Sequence, residues 1–488
     1  MGKGLSKSLY LKGKQCHKAL WLHKYKPEFK DELTERQKAI FATGHEVGEL
    51  ACDLFPSGVM VPFEGLTVQG QIGMTAQAMA DGQETIYEAS FEYDGIFVKV
   101  DILRKDGEAW DIYEVKSATS VKPVNDDDVA LQLYVLSQAG IKVGKVYLVH
   151  LNKEYTRNGE IEVEKLFSMT DLTDIAQIKQ GEVQVALAEF AEVMDGSLPE
   201  VKIGRHCSEP YDCAFKGHCW QDVPENSVIE LAGKGINKFD YYHRGIRILD
   251  DLPLDKLNGS QRFQVEQYLK RGEHIDPEGL SKFLDTLWYP LVHLDFETFQ
   301  SPVPLFNRTK SYQQVPFQYS IHIQMEQGGP IEHCEFLAVP GVDPRPELIA
   351  GLTRDIPRDA CILTYYMSFE KGRLAELGRD FPDFAEVIDD MISRVRDLIV
   401  PFKKRYAYHW QQQGSNSIKD VLPAFIPDLS YEGLKIANGG MAMTAYHQMC
   451  SEGDPEKLAE IRQDLLEYCR LDTEAMVRLL ECLYCLAK

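Results

Sequence analysis

Two acidic constellations and one group of cysteines are spaced for chemistry. In FEYDGIFVKVDILRKDGEAWDIYEVKS (91–117), Asp101 lies in the alternating run GIFVKVDIL, and Glu114 and Lys116 stand two apart in AWDIYEVK. The alternation predicts two strands joined by a turn at Asp106-Gly107, with Asp101 near the end of the first. Residues two apart on a strand share a face, so Glu114 and Lys116 point the same way. Carboxylates on neighbouring strands can hold one or two divalent cations by their oxygens, and a lysine beside them can orient or deprotonate a water. That is equipment for hydrolysing a phosphodiester. The same pattern also suits a hairpin with a solvated charged face.

The second constellation begins in WYPLVHLDFETF (288–299), where an apolar strand runs into Asp295 and Glu297, again two apart. Downstream, ACILTYYMSFEKGRLAEL predicts a strand leading into a helix, with Glu370 at the junction. LLEYCRLDTEAMVRLLECL is strongly periodic and predicts a helix on which Tyr468 and Asp472, four apart, share a face. Separated acids of this kind can converge on two metal ions roughly 3.5–4 Å apart that clamp the attacking and leaving oxygens. The plain alternative is a chance set of acids on an α/β fold.

The third group is HCSEPYDCAFKGHC (206–219), with Cys207, Cys213 and Cys219 evenly spaced. Three thiolates are one short of a closed tetrahedral site, and Cys16, in GKQCHKALWLHKY, offers a fourth from the start of an amphipathic helix. Zinc usually takes paired short spacings. One distant cysteine with a local triplet suits an iron–sulfur cluster better, since all four ligands are thiolates around a larger object. Zinc, or three unrelated buried cysteines, are the alternatives. Cys482 and Cys485 form a CxxC on an apolar C-terminal helix and read as core. Cys52, Cys334, Cys361, Cys450 and Cys469 are isolated.

The elements that must position these groups belong to a long chain. Its 488 residues predict two domains or more. A net charge of −22 argues against a protein wrapped all over in nucleic acid, but leaves room for a nuclease with an acidic metal cleft and local basic residues. No window approaches the ~18 apolar residues of a membrane span. The basic start has no apolar run, so no secretory signal and no membrane partner are expected, and the protein reads as cytoplasmic. Gly2 and Ser6 fit the loose myristoylation pattern. In that compartment, eleven cysteines point to ligands or buried thiols rather than disulfides.

Asp101, the Glu114-Val115-Lys116 element and the one-plus-three cysteines resemble RecB-like PD-(D/E)XK nucleases. The likeness is greatest to the branch with an iron–sulfur cluster, which includes the CRISPR adaptation nucleases and AddB-type helicase-nuclease subunits. The resemblance covers about residues 1–222. It implies that Asp101 and Glu114 bind metal, that Lys116 activates water, and that Cys16, Cys207, Cys213 and Cys219 hold a cluster of the 4Fe-4S kind. The family's helical Gln falls on Gln132; its Tyr, four residues later in the family, comes two residues later here, at Tyr134. The upstream helix offers His45 and Glu49, an i,i+4 pair, where the family often carries a metal-binding His.

The D-x-E, S-F-E and Y-x3-D order resembles DnaQ-like 3′→5′ exonucleases. That likeness implies that Asp295, Glu297 and Asp472 are ligands and that Tyr468 positions the attacking water. Glu370 stands where an aspartate is usual, with Asp397 in RVRDL as a fallback. The whole order of parts is similar to a bacterial family of unknown function that joins the two domains. YPLVHLDFET, VPFQYSIH, GSNSIKDVLPAF and DLSYEGLKIANGGMA carry that likeness.

The resemblance implies an α/β protein in three parts. Residues 1–222 form the PD-(D/E)XK nuclease fold with its iron–sulfur cluster. Residues 223–285 form a helical linker that loosely resembles a helix-hairpin-helix. Residues 286–488 form an RNase H-like fold, a mixed five-stranded sheet with helices on both sides. The function implied is a nuclease with two active sites using Mg²⁺ or Mn²⁺ on single-stranded or frayed DNA, in repair or defence. An RNA exonuclease and a nucleic-acid-binding scaffold are the alternatives. Lys403, Lys404 and Arg405, followed by Tyr406, Tyr408, His409 and Trp410, mix cations and rings on which bases could stack. A helix end with its usual cations explains them equally well.

Overall fold

β-branched and aromatic residues recur through the longer runs that become strands in the first part of the chain, such as IFVKVDIL and AWDIYEVK. The computed structural model describes residues 4–488, so Gly2 lies outside the described residues. Two units form, Met1–Asp222 with Ser301–Tyr312, and Val223–Gln300 with Gln313–Lys488. Both mix helices and strands.

The first unit is built on β1 (Leu5–Ser6), β2 (Val59–Met60), β3 (Thr85–Tyr93), β4 (Ile96–Asp106), β5 (Ala109–Lys116), β6 (Val143–Leu151) and β7 (Phe167–Asp171). The order is β2-β3-β4-β5-β6-β7, with β1 paired to β4. β3, β4 and β5 form an antiparallel meander, whereas β5 and β6 are parallel. A parallel pair needs a crossover, and the helix Pro123–Gln138 lies between these two strands in the chain. Ile112 and Leu148 on one face of the sheet pack with Leu131 and Leu136 of that helix and Phe190 of the helix Gln180–Asp195. The other face packs Tyr113 and Val115 against Val47 and Ala51 of the helix Glu35–Cys52. The period of two therefore turns Glu114 and Lys116 toward the crossover helix.

The N-terminal segment forms two helices, Lys7–Gln15 and His17–Tyr25, rather than one. They break at Cys16, whose extended backbone (φ −163°, ψ 117°) is the N-cap of the second.

The second unit contains β8 (Glu273–Ile275), β9 (Leu291–Phe299), β10 (Val315–Gln324), β11 (Ile331–Leu337), β12 (Cys361–Thr364), β13 (Val395–Asp397) and β14 (Ala407–His409). Its main sheet has five strands in the order β11-β10-β9-β12-β13. β9, β10 and β11 are antiparallel, and β12 runs parallel to β9 and β13. Val292, Leu294 and Phe296 face one core with the helices Arg345–Asp355, Met367–Asp380 and Ala385–Arg394. Leu291 joins the opposite core with Met476 and Leu480 of the helix Pro455–Leu486. Residues of β9 two apart from Leu291, namely His293, Asp295 and Glu297, share that second face.

Residues 223–285 do not stand free as a spacer. β8 pairs antiparallel with β14, and Leu280, Phe283 and Leu284 of the helix Pro277–Leu284 enter the same core as Met476. Among the described residues, no helix is long and apolar enough to cross a membrane.

Thr473 ties the C-terminal helix to the sheet beside Asp472. Its hydroxyl meets Ser320 Oγ at 2.7 Å and His322 Nδ1 at 2.8 Å, all buried. Thr473→Val keeps the shape and strips His322 Nδ1 of this partner, so a loss of about 1–3 kcal/mol is expected. Urea unfolding of the two proteins measures it.

Candidate active sites and the cysteine recess

In the second unit, one strand and one helix bring three acids to a point. Asp295 and Glu297 come from β9, and Asp472 from the C-terminal helix; their oxygens lie within 4.8 Å of one another. Among the described residues, this is the one set of three such His, Cys, Asp or Glu donors. Glu297 and Asp472 are buried, and Asp295 is half-buried. Burial and mutual repulsion push Asp295 and Glu297 well above the ordinary carboxylate range, and burial pushes Asp472 up to about 6. Three carboxylates this close, short of positive charge, match a cation-binding donor set.

Two side chains that the sequence patterns did not single out complete the site. Tyr431 donates to Asp472 Oδ1 at 2.6 Å. Lys419 donates to Tyr468 Oη at 3.4 Å and to Ala437 O, and its ammonium lies over both tyrosine rings at 5.2 and 5.3 Å. Tyr468 is buried one turn before Asp472, and burial followed by the three acids keeps its hydroxyl protonated. Lys419 and Tyr431 lie inside SIKD and DLSYEG, two of the stretches that carry the family likeness.

Glu370 stands outside the trio. It is buried in the first turn of its helix, with Oε2 lacking a hydrogen-bond partner, and burial lifts its carboxyl to about 8. Its charge still contributes to raising Asp295. Asp397, the fallback ligand, is committed elsewhere: Oδ1 accepts the backbone N–H groups of Tyr366 and Ile399 at 2.9 and 3.1 Å.

The first unit gathers a different set. β4 and β5 pair as far as Ile102↔Tyr113. Beyond that point Asp101 Oδ2 takes the Val115 N–H at 2.7 Å, a side chain standing in for a strand carbonyl. Asp101 therefore lies mid-strand, not at its end. Glu114 is buried and accepts from Lys7 (2.7 and 2.9 Å), from Lys116, and from Gln132 Nε2 at 2.7 Å. Asp128, one turn before Gln132, is equally buried and accepts from Lys116 at 2.8 Å and Gln132 at 3.0 Å. Burial, then Asp101 and Asp128, lift Glu114 to about 7 despite the two lysines. Asp128 is held low because the lysines outweigh its burial.

Lys7 and Asp128 were not foreseen. Asp128 had a readable signal, standing i,i+4 to Gln132. Lys7 reaches Glu114 across 107 residues of chain, so only the fold reveals it. Tyr134 is two residues past Gln132, about 200° around the helix, and packs edge-on to Tyr93 with ring centroids 6.3 Å apart. His45 and Glu49 are exposed on the helix Glu35–Cys52 and belong to no three-donor set among the described residues.

Cys16, Cys207, Cys213 and Cys219 line one recess of the first unit. Ala19, Leu22 and Phe215 form its apolar floor. Gln15 Nε2 donates to His206 O and Tyr211 O at 2.7 Å each, fastening the first helix to the cysteine loop. Cys207 Sγ accepts from Gly204 N at 3.5 Å. Burial raises the thiols of Cys16, Cys213 (to about 11) and Cys219, and neighbouring cysteines add to each shift. No three of the sulfurs lie within 4.8 Å of one another. Zn–S bonds of 2.3 Å in a tetrahedron would put sulfurs only about 3.8 Å apart. Elsewhere, Cys482 is half-buried and Cys485 exposed, so that pair is not core. Tyr408 is buried, with its hydroxyl accepting from Gly414 N, so it offers no free face for a base.

The model of a domain of unknown function, DUF2779, matches residues 292–417. That stretch holds Asp295, Glu297 and Glu370 and stops short of Lys419, Tyr431, Tyr468 and Asp472. The chain is 22% identical over 400 residues to the uncharacterized protein MG366 homolog of Mycoplasma pneumoniae, covering 70% of this chain and 60% of that protein. It is 25% identical over 219 residues to the uncharacterized protein MG366 of Mycoplasma genitalium, covering 40% of this chain and 33% of that protein. The chain thus spans less than two thirds of these relatives' length.

The raised carboxyl of Asp472 sets a pH dependence for the metal-free protein. The fold keeps this proton up to about pH 6, whereas the unfolded chain releases it near 3.8. The folded state binds more protons across that window, so stability falls as pH rises through it and stays lower above. Asp472→Asn should therefore raise the melting temperature at pH 7.5 in EDTA, by the equivalent of about 1–3 kcal/mol, and have little effect at pH 4. Thermal melts at the two pH values check the sign.

Proposed function

We propose that this protein is a metal-dependent nuclease that hydrolyses phosphodiester bonds of single-stranded or frayed DNA. The convergence of Asp295, Glu297 and Asp472 carries the reading. The five-stranded mixed sheet, β11-β10-β9-β12-β13, supports the RNase H-like, DnaQ-type reading. Mg²⁺ or Mn²⁺ at this site would supply Lewis-acid polarisation and activation of water. The chain's own part is to hold the ions through the three carboxylates. Tyr468, protonated and buried, offers a hydrogen bond to the attacking water. Lys419 sets a positive charge beside the acids, where a phosphate would arrive.

The first unit fits a second hydrolytic centre of the PD-(D/E)XK kind less simply. Its support is that Asp101, Glu114, Lys116 and Gln132, the residues named by that resemblance, lie in one cluster. Both oxygens of Glu114 are nevertheless engaged, Oε1 by Lys7 and Lys116 and Oε2 by Lys7 and Gln132. This contact favours a second reading for that unit alone, a nucleic-acid-binding scaffold. End-labelled DNA and RNA strands, with Mg²⁺ or Mn²⁺, separate the readings when wild type is compared with Asp295→Ala and Lys116→Ala. Asp295→Ala should lower cleavage at least about 100-fold, as expected when a group holding the ions is lost. A wild type that cuts neither polymer overturns the nuclease reading. A silent Lys116→Ala makes the first unit a scaffold.

The four-cysteine recess supports an iron–sulfur cluster, because Cys16, Cys207, Cys213 and Cys219, the one-plus-three set of that resemblance, line one space. Its proposed role is structural, tying the first two helices to residues 207–219. Protein purified without oxygen should be brown, absorbing near ~400 nm, and Cys219→Ser should bleach it. A colourless, zinc-loaded preparation would sink the assignment.

A further inference from the structure

The second unit holds a cavity of about 330 Å³ that the carboxylate site does not use. Lys403, Arg405, Ser260, Phe263 and Asn416 are among the residues that line it. No acidic side chain lines it, although the chain carries 75 acids against 53 lysines and arginines. Arg405 lies in the left-handed region at φ 61°, in the turn between the helix Val400–Lys403 and β14. The turn sends its guanidinium over the Phe263 ring, 4.5 Å from the centroid, rather than onto a carboxylate. Lys403 is exposed.

The walls are fastened to one another. Gln264, on the helix Gly259–Lys270, accepts the Ala232 N–H at 2.9 Å and donates to Gln413 O at 2.7 Å. One buried amide thus joins a loop, a helix and a turn. Gly414 (φ +80°) lets the turn close: a Cβ there would stand 2.6 Å from both Ala232 Cβ and Gln264 Oε1. The concavity is therefore held by hydrogen bonds and close packing. Two cations, a hydroxyl and an amide with no opposing acid match a phosphate.

We propose that this cavity seats a backbone phosphate of a nucleic-acid single strand, as a binding point separate from the carboxylates. The inference rests on the nuclease reading for its choice of polymer. A free nucleotide shares the phosphate chemistry, and the measurement separates the two.

Fluorescence anisotropy in EDTA, with full-length protein and a labelled single strand of about twenty nucleotides, reads binding without cutting. Each phosphate contact on a single strand contributes about −0.7 to the slope of log K against log salt. Lys403→Ala/Arg405→Ala should flatten that slope by about 1.4 and weaken binding at least tenfold. Lys403→Gln, a change at an exposed position, should flatten it by about half as much and leave the melting temperature unchanged. Unchanged affinity and slope in both variants overturn the proposal, even if wild type cuts DNA. Equal affinity for thymidine monophosphate and the long strand also overturns it, in favour of a small phosphate ligand. The flattened slope in a protein that cuts nothing would uphold this site and remove the nuclease reading alone.

Discussion

Three like charges forced together in a half-dry place are the constraint on which the second unit turns. Asp295 and Glu297 sit two apart on a strand whose other face buries Val292, Leu294 and Phe296, so they cannot swing to water without breaking that strand's register. Asp472 is delivered from above by a helix whose lower half is core. Neither element can relax away from the other, because Leu291, Met476 and Leu480 bind them through the same apolar cluster. The fold thus holds a repulsive arrangement in place with hydrophobic energy from elsewhere. Without a cation the crowding is relieved by protons, which is why burial and mutual repulsion hold Asp295 and Glu297 well above the ordinary carboxylate range; a cation bound there would take the protons' place.

The first unit handles its acids in the opposite manner. Glu114 and Asp128 are more deeply buried than Asp295, yet Lys7 and Lys116 lie on them, and the cluster is largely neutralised from within. The same residue types, a carboxylate pair on a sheet under a helix, end in two different electrostatic states. The difference comes from two lysines, Lys116 on the strand itself and Lys7 at the beginning of the first helix. Lys7 is placed by β1, whose two residues lie parallel along β4.

What could be read from the sequence follows the range of the interactions. Strand alternation around Asp101 and Glu114, and the helical period that puts Tyr468 over Asp472, are local, and β4, β5 and the C-terminal helix appear where those patterns lie. Gln132 also meets Glu114, since a parallel pair brings its crossover helix back over the strand. Other placements depend on distant partners. Lys419 and Tyr431 reach the acids only through the packing of the chain that follows β14, and no period marks them. Asp397 looked like a spare ligand because composition cannot distinguish a carboxylate facing metal from one capping two N–H groups. Residues 223–285 looked like a linker because short helices with glycine turns carry little periodicity; their burial comes from β14 and the C-terminal helix.

The order of the elements along the chain has a temporal meaning. During translation, β9 with Asp295 and Glu297 leaves the ribosome well before the helix Pro455–Leu486 exists. Until that helix docks, the strand's acids face water, where two carboxylates hold a divalent ion far more weakly than three in a dry cleft. The second unit's candidate centre is therefore incomplete on the nascent chain until the helix Pro455–Leu486 has emerged and docked.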